Sequence, residues 1–169
     1  MAELNHYLQP EPLVFRAEIS LLNTMRLLVQ RIKEAKVSVE GTEIGTAGAG
    51  LCVFFGVGKA DDANKARYLS EKISNLRIFE DEQGKMNRSV RDVGGEILVI
   101  SQFTLYGDCT NGNRPSFTEA APAAQAERLY QTFVDRLRAL GLRVATGRFG
   151  AKMDVSLTND GPVTFILEA

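Results

Sequence analysis

Residues 96–105 read EILVISQFTL, a run of strand-type residues that turns polar towards its end. By the alternation of a strand, Ile97, Val99, Ser101, Phe103 and Leu105 share one face, and Leu98, Ile100, Gln102 and Thr104 the other. Upstream, residues 51–57 (LCVFFGV) form a second continuous apolar run of strand length. Residues 26–32 (RLLVQRI) read as a third strand, with extended structure resuming over 36–39 after a break. Between these runs, Asp61 or Asp62 can cap a helix whose Ala66, Leu69, Ile73 and Leu76 recur at +3, +4 and +3 as one buried stripe. Residues 78–86 suit a short hairpin turning at Gln83-Gly84. Downstream, residues 106–121 carry loop punctuation, and Pro122 opens a second helix. That helix has an apolar face of Ala126, Leu129, Tyr130, Phe133, Val134, Leu137 and Leu140, and Gly141 ends it. Short strands follow around 142–146, 153–157 and 163–167. The expected fold is a single α/β domain: a mixed, mainly antiparallel, barrel-like sheet with two main helices.

The composition narrows the chemistry. The chain has 169 residues, one domain's worth, and 44% of them are hydrophobic. No apolar run approaches the roughly 20 residues of a membrane helix, so no membrane partner is expected. Two cysteines, Cys52 and Cys109, form neither a disulfide framework nor a metal-type pair, which fits a reduced, cytoplasmic protein. The one histidine is His6, so a Ser-His-Asp triad, a Cys-His dyad or a histidine-based zinc site is not expected. No metal and no cofactor are called for. Residues 1–24 carry two prolines and precede Met25, with a short amphipathic element around 14–22 at most. They read as an extension outside the fold, leaving a domain over 25–169. Without them Lys+Arg falls from 20 to 19 and Asp+Glu from 21 to 18, moving the net charge from −1 to +1. A near-neutral surface argues against broad nucleic-acid binding but leaves room for a site that holds one RNA end.

Three segments concentrate functional residue types. In Ser101-Gln102-Phe103-Thr104, the amide of Gln102 and the hydroxyl of Thr104 would point the same way where the strand leaves the core. The same residues serve equally as a strand end meeting water. Asn159-Asp160-Gly161-Pro162-Val163-Thr164 reads as a turn between two strands, or as a rigid proline-fixed gauge. Gly112-Asn113-Arg114-Pro115-Ser116-Phe117 could grip a phosphate and stack a base, or be a plain surface loop. The segment around Met86 invites the same reading more weakly. Arg31 falls on the face of Leu27 and Val29; the simple expectation is an edge-strand arginine reaching solvent. Acid pairs such as Asp61 with Asp62, or Glu80 with Asp81, read as solvated cap and turn residues.

The stretches MRLLVQRI, NLRIFEDEQGKMN, VGGEILVISQFTLYGD, RPSFTEAAP and GRFGAKMDVSLTNDGPVTF together resemble the D-aminoacyl-tRNA deacylase family. The resemblance covers 145 residues (169 − 24), from Met25 to the end. It implies a homodimer with active sites at the subunit interface, acting on the aminoacylated 3′ end of tRNA and not on DNA. It further implies that Gly161-Pro162 is a cis dipeptide inserted into the partner's pocket, where its carbonyls collide with the side chain of an L-amino acid. Glycyl-tRNA could then be cleaved as well. Arg31 matches the family arginine that orients those carbonyls, which gives it an acceptor and counts against the solvent reading. The catalytic set would be Ser101, Gln102, Phe103 and Thr104. Backbone N–H groups near Phe103 and Thr104 would stabilise the developing oxyanion; either the ribose 2′-OH assists the attacking water, or Thr104 attacks as a nucleophile, a poor one without an adjacent base. Phe117, with Met86 or Phe149, and Arg114 are candidates for holding the terminal adenosine.

Two rivals remain open at this level. A sister deacylase with relaxed chirality would clear a small L-amino acid such as alanine. A binding-only module would bind RNA or chromatin without cleaving an ester. The opening SQFTL favours the D-specific class, and SQFTL with NDGPVT counts against binding alone.

Overall fold

The computed structural model describes residues 24–169; the element expected around 14–22, and His6, lie outside them. The longest contacts are made by β1 (Arg26–Val39), which is one strand rather than two. One of its edges carries β8 (Asp154–Glu168) along nearly its whole length, antiparallel. The other edge is shared: residues 26–32 pair with β3 (Gly50–Gly56) and residues 35–39 with β2 (Thr42–Ala47). The expected break therefore marks a change of partner, where the exposed Lys33 and Glu34 interrupt the apolar alternation without ending the strand.

From β3 the sheet continues through parallel β6 (Glu96–Ser101) to parallel β7 (Arg143–Thr146). It curls until β2 approaches β7: a Cβ added at Gly45 would lie 2.7 Å from the carbonyl oxygen of Thr146. The result is a mixed, nearly closed barrel, as the strand pattern suggests. Alternation splits its side chains into two cores. Ile32, Val37, Cys52, Leu98 and Ile100 fill the interior. Leu27, Val29, Leu51, Val53, Phe55, Ile97 and Val99 point outward, under two helices.

Those helices are α1 (Ala63–Asn75) and α2 (Ala123–Ala139). Asp62 caps α1, accepting from the N–H groups of Asn64 and Lys65. Ala66, Leu69 and Ile73 are its buried stripe, while Leu76 falls at the cap. Phe133 of α2 packs 4.7 Å, centroid to centroid, from Phe55. The 78–86 hairpin is present as β4 (Phe79–Glu80) and β5 (Met86–Arg88), with Gly84 at φ 74° in the turn. No described helix is long and apolar enough to cross a membrane.

Two further expectations about strands fail. β6 stops at Ser101, and residues Phe103–Tyr106 form a 3-10 turn. Gln102 and Thr104 are therefore not neighbours on a strand face. The strands expected at 153–157 and 163–167 are one strand, β8. Its pairing with β1 runs Ile32 to Asn159 and then Gln30 to Thr164. Four residues, Asp160 to Val163, thus stand opposite the single Arg31. This bulge throws Gly161 and Pro162 out of the ladder, where the missing N–H of proline costs no pairing.

Candidate active site

The end of β6 opens onto a cavity of about 410 Å³. Ser101, Gln102 and Phe103 line one side. Val57, Ala120, Ala121 and Ala126 line another, and Phe149, Met153 and Val155 a third. The alanines leave room where larger side chains would fill the space.

The 3-10 turn gives this wall its chemistry. Its entrance is fixed by the Gln102 N–H, which donates to Phe55 O at 2.8 Å. The first N–H groups of a helical turn have no partner within it, and those of Phe103 and Thr104 find none elsewhere among the described residues. Two adjacent backbone donors are thus left beside the cavity. The turn also brings Gln102 and Thr104 back together, with Gln102 Nε2 donating to Thr104 Oγ1. An amide donor is not a base, so this contact does not activate the hydroxyl as a nucleophile.

Phe103 is 59% exposed and meets Phe117 edge-on, ring centroids 5.0 Å apart. Phe117 follows a loop closed by paired backbone bonds between Asp108 and Ser116, 2.8 and 2.9 Å. The Thr110 hydroxyl and N–H hold the Asp108 carboxyl below its usual range. Arg114 sits exposed in that loop, away from the cavity lining.

A second cluster forms around the bulge of β8. The Gly161–Pro162 peptide is cis. Asn159 straps it: Nδ2 donates to Val163 O at 3.1 Å and to Arg31 O at 2.9 Å. Arg31 is 6% exposed, because β1 is a central strand and not an edge. Its Nε donates to Asp160 O at 3.2 Å and lies 2.8 Å from Asp160 Oδ2. One terminal nitrogen donates to Ile78 O at 2.7 Å; the other is 3.9 Å from Glu80 Oε1. On β8 the guanidinium therefore meets Asp160, one residue before Gly161 and two before Pro162, and not the carbonyls of the dipeptide itself. Met86 pairs with Glu80 and so belongs to this cluster, apart from Phe117 and Phe149.

Within one chain, then, Ser101, Gln102, Phe103 and Phe149 share a cavity, with Thr104 and Phe117 beside it. Gly161, Pro162, Arg31 and Met86 are gathered elsewhere and do not line it. Asp61 corrects the sequence reading: it is buried, not solvated, and accepts from the Gly58 N–H at 2.7 Å. Glu80 is exposed, as read, with Oε1 3.9 Å from the Arg31 guanidinium. Among the described residues no three His, Cys, Asp or Glu side chains converge as a metal site would need.

The family model described as D-Tyr-tRNA(Tyr) deacylase matches residues 28–168. The D-aminoacyl-tRNA deacylase of Heliobacterium modesticaldum is 60% identical over 144 residues, 85% of this chain and 96% of that protein. That of Thermotoga petrophila is 58% identical over 145 residues, 86% and 97%. A solved structure named c-Myc DNA Unwinding Element Binding Protein is 44% identical, with a TM-score of 0.80 over 86% of this chain and 99% of its own. A probable eukaryotic D-amino acid tRNA deacylase shares the fold at 18% identity, with a TM-score of 0.76 over 86% of this chain and all of its own. The chain belongs to the D-Tyr-tRNA(Tyr) deacylase family.

Proposed function

We propose that this protein hydrolyses the ester of D-aminoacyl-tRNA, releasing free tRNA and the D-amino acid, as a chirality check on translation in the cytoplasm. The observation that carries the reading is the family match over residues 28–168, in a chain whose Ser101–Thr104 segment walls an open cavity.

The chemistry follows from the groups available. Attack of water on the ester places negative charge on the carbonyl oxygen. The N–H groups of Phe103 and Thr104 lie beside the cavity without internal partners, so they suit that charge. Gln102 orients the substrate or the water, and Ser101 completes the wall. The ribose 2′-OH next to the ester assists the water, which accounts for a site that has no protein base at Thr104. Phe117 and Phe149, with Arg114, hold the terminal adenosine and its phosphate.

Chirality is imposed by a second copy of the chain. Gly161 and Pro162 project from the bulge of β8 rather than into their own cavity, which suits delivery across a homodimer into the partner's pocket. Met86 travels with them. Arg31 and Asn159 stiffen the carbonyls on either side of the dipeptide. Rejection works by collision with an L side chain, so glycine passes. The test is release of D-tyrosine from D-tyrosyl-tRNA in the presence of a chelator. Release supports the proposal; tRNA binding without release would favour a binding module.

A further inference from the structure

We propose that Tyr106 and Asp61 are a positioning pair that fixes the distance between the two walls of the cavity, and so the placement of the Phe103–Tyr106 turn. The inference rests on the deacylase reading and adds residues outside the cavity to it.

The turn itself is exposed at Phe103 and Thr104, but its last residue, Tyr106, is buried. The Tyr106 hydroxyl reaches the carbonyl oxygen of Thr24 and lies 3.2 Å from Asp61 Oδ2. Burial, and then the Asp61 charge, push this phenol above its ordinary value, so it stays a protonated donor. Asp61 Oδ2 also accepts from the Gly58 N–H, and Oδ1 takes Lys65 Nζ at 2.9 Å. Gln125 Nε2 donates to the carbonyls of Lys59 and Asp61, at 3.0 and 3.1 Å. The Arg26 guanidinium lies 4.8 Å over the Tyr106 ring and donates to Leu105 O at 3.0 Å.

The carboxylate therefore joins two segments. Tyr106 belongs to the turn that carries Phe103. Gly58 belongs to the segment that carries the opposite wall, since Ala121 N donates to Val57 O at 2.9 Å and Gly58 bridges to Ala120. The approach is close: a Cβ on Gly58 would lie 2.9 Å from the Tyr106 ring. Buried polar bonds of this kind hold geometry more firmly than the same bonds in water. Neither Tyr106 nor Asp61 lines the cavity, so their effect on catalysis runs through the turn.

Tyr106→Phe keeps the ring and removes the hydroxyl. For D-tyrosyl-tRNA, kcat is expected to fall about tenfold with KM within about twofold, the pattern of a lost transition-state contact. Hydrogen exchange of the bonded amides of the turn, Gln102, Leu105 and Gly107, is expected to rise about tenfold, with the rest of the barrel unchanged. Asp61→Asn should lower kcat in the same way, as a second variant. A kcat within twofold of wild type below the melting temperature, even with a lowered Tm, overturns the proposal. So does a kinetic loss without faster exchange at Gln102, Leu105 and Gly107. A wild-type protein that fails to cleave D-tyrosyl-tRNA removes the deacylase reading instead; the exchange measurement still decides whether the pair holds the turn.

Discussion

Gly161→Ala probes the dipeptide at a point where the chain has little room. An added Cβ at Gly161 would lie 2.7 Å from Asn159 Oδ1, against ordinary contact from 3.4 Å. Something must move by about 0.7 Å (3.4 − 2.7). The Asn159 side chain is not free to do so cheaply, because its amide donates to both Arg31 O and Val163 O. Losing one or both of those bonds costs about 1–2 kcal/mol in total, at about 1 kcal/mol each. For a domain of this size that is a drop in Tm of about 2–8 °C, so the variant stays folded. The catalytic effect is larger, because a displacement approaching 1 Å in a positioning element can cost about a hundredfold. The expected kcat/KM for D-tyrosyl-tRNA is therefore about 10–100 times below wild type. Initial rates of ester loss, paired with a thermal melt, separate the two effects. A folded variant with wild-type turnover and wild-type rejection of the L-ester would refute the role given to the dipeptide.

Thr104→Val should retain hydrolysis within about tenfold, since the hydroxyl only accepts from Gln102; a covalent nucleophile would instead lose on the order of 10⁴ or more in kcat. Arg31→Met leaves Asp160 O, Ile78 O and the Asp160 carboxylate without their donor, and should lower stability by about 1–3 kcal/mol while narrowing the D/L rate ratio. Denaturant titration and paired hydrolysis assays check it, and an unchanged ratio would remove Arg31 from the gate. Burial pushes the Cys52 thiol from 9.0 up to about 12. The folded state thus keeps a proton that the unfolded state gives up, so this contribution is fully present below pH 9 and lost between 9 and 12. The wild-type urea midpoint should carry no Cys52 titration below pH 9 and fall above it more steeply than that of Cys52→Ala, whose packing loss is the same at every pH; equal pH slopes in the two would contradict the shift. Thiol reagents at neutral pH should label exposed Cys109 and spare Cys52 until the chain unfolds.

Much of the architecture was legible because its cues are local. The run at 51–57 reads as a strand covered on both faces, and 96–101 as the strongest strand; both are strands. The +3, +4, +3 stripe of α1 and the Gly84 turn likewise need only neighbours in sequence. What failed depended on partners far along the chain. Lys33 and Glu34 look like a strand end, yet β1 continues because β2 takes over from β3. Asn-Asp-Gly-Pro looks like a hairpin turn, yet both flanks pair with the same strand, β1, and the four residues bulge out opposite Arg31. The SQFT segment was picked out correctly as residues, but on strand geometry that the 3-10 turn replaces. Asp61 was misread because burial of a carboxylate is decided by Tyr106 and Gly58, neither of which the Asp-Asp pair announces.

The most direct measurement is a side-by-side time course of D-tyrosyl-tRNA and L-tyrosyl-tRNA hydrolysis by the wild-type protein, with chelator present. Rapid loss of the D-ester, with the L-ester decaying at its uncatalysed rate, is the expected result. Equal loss of both esters would contradict chiral selection by Gly161 and Pro162, and loss of neither would contradict the deacylase function itself.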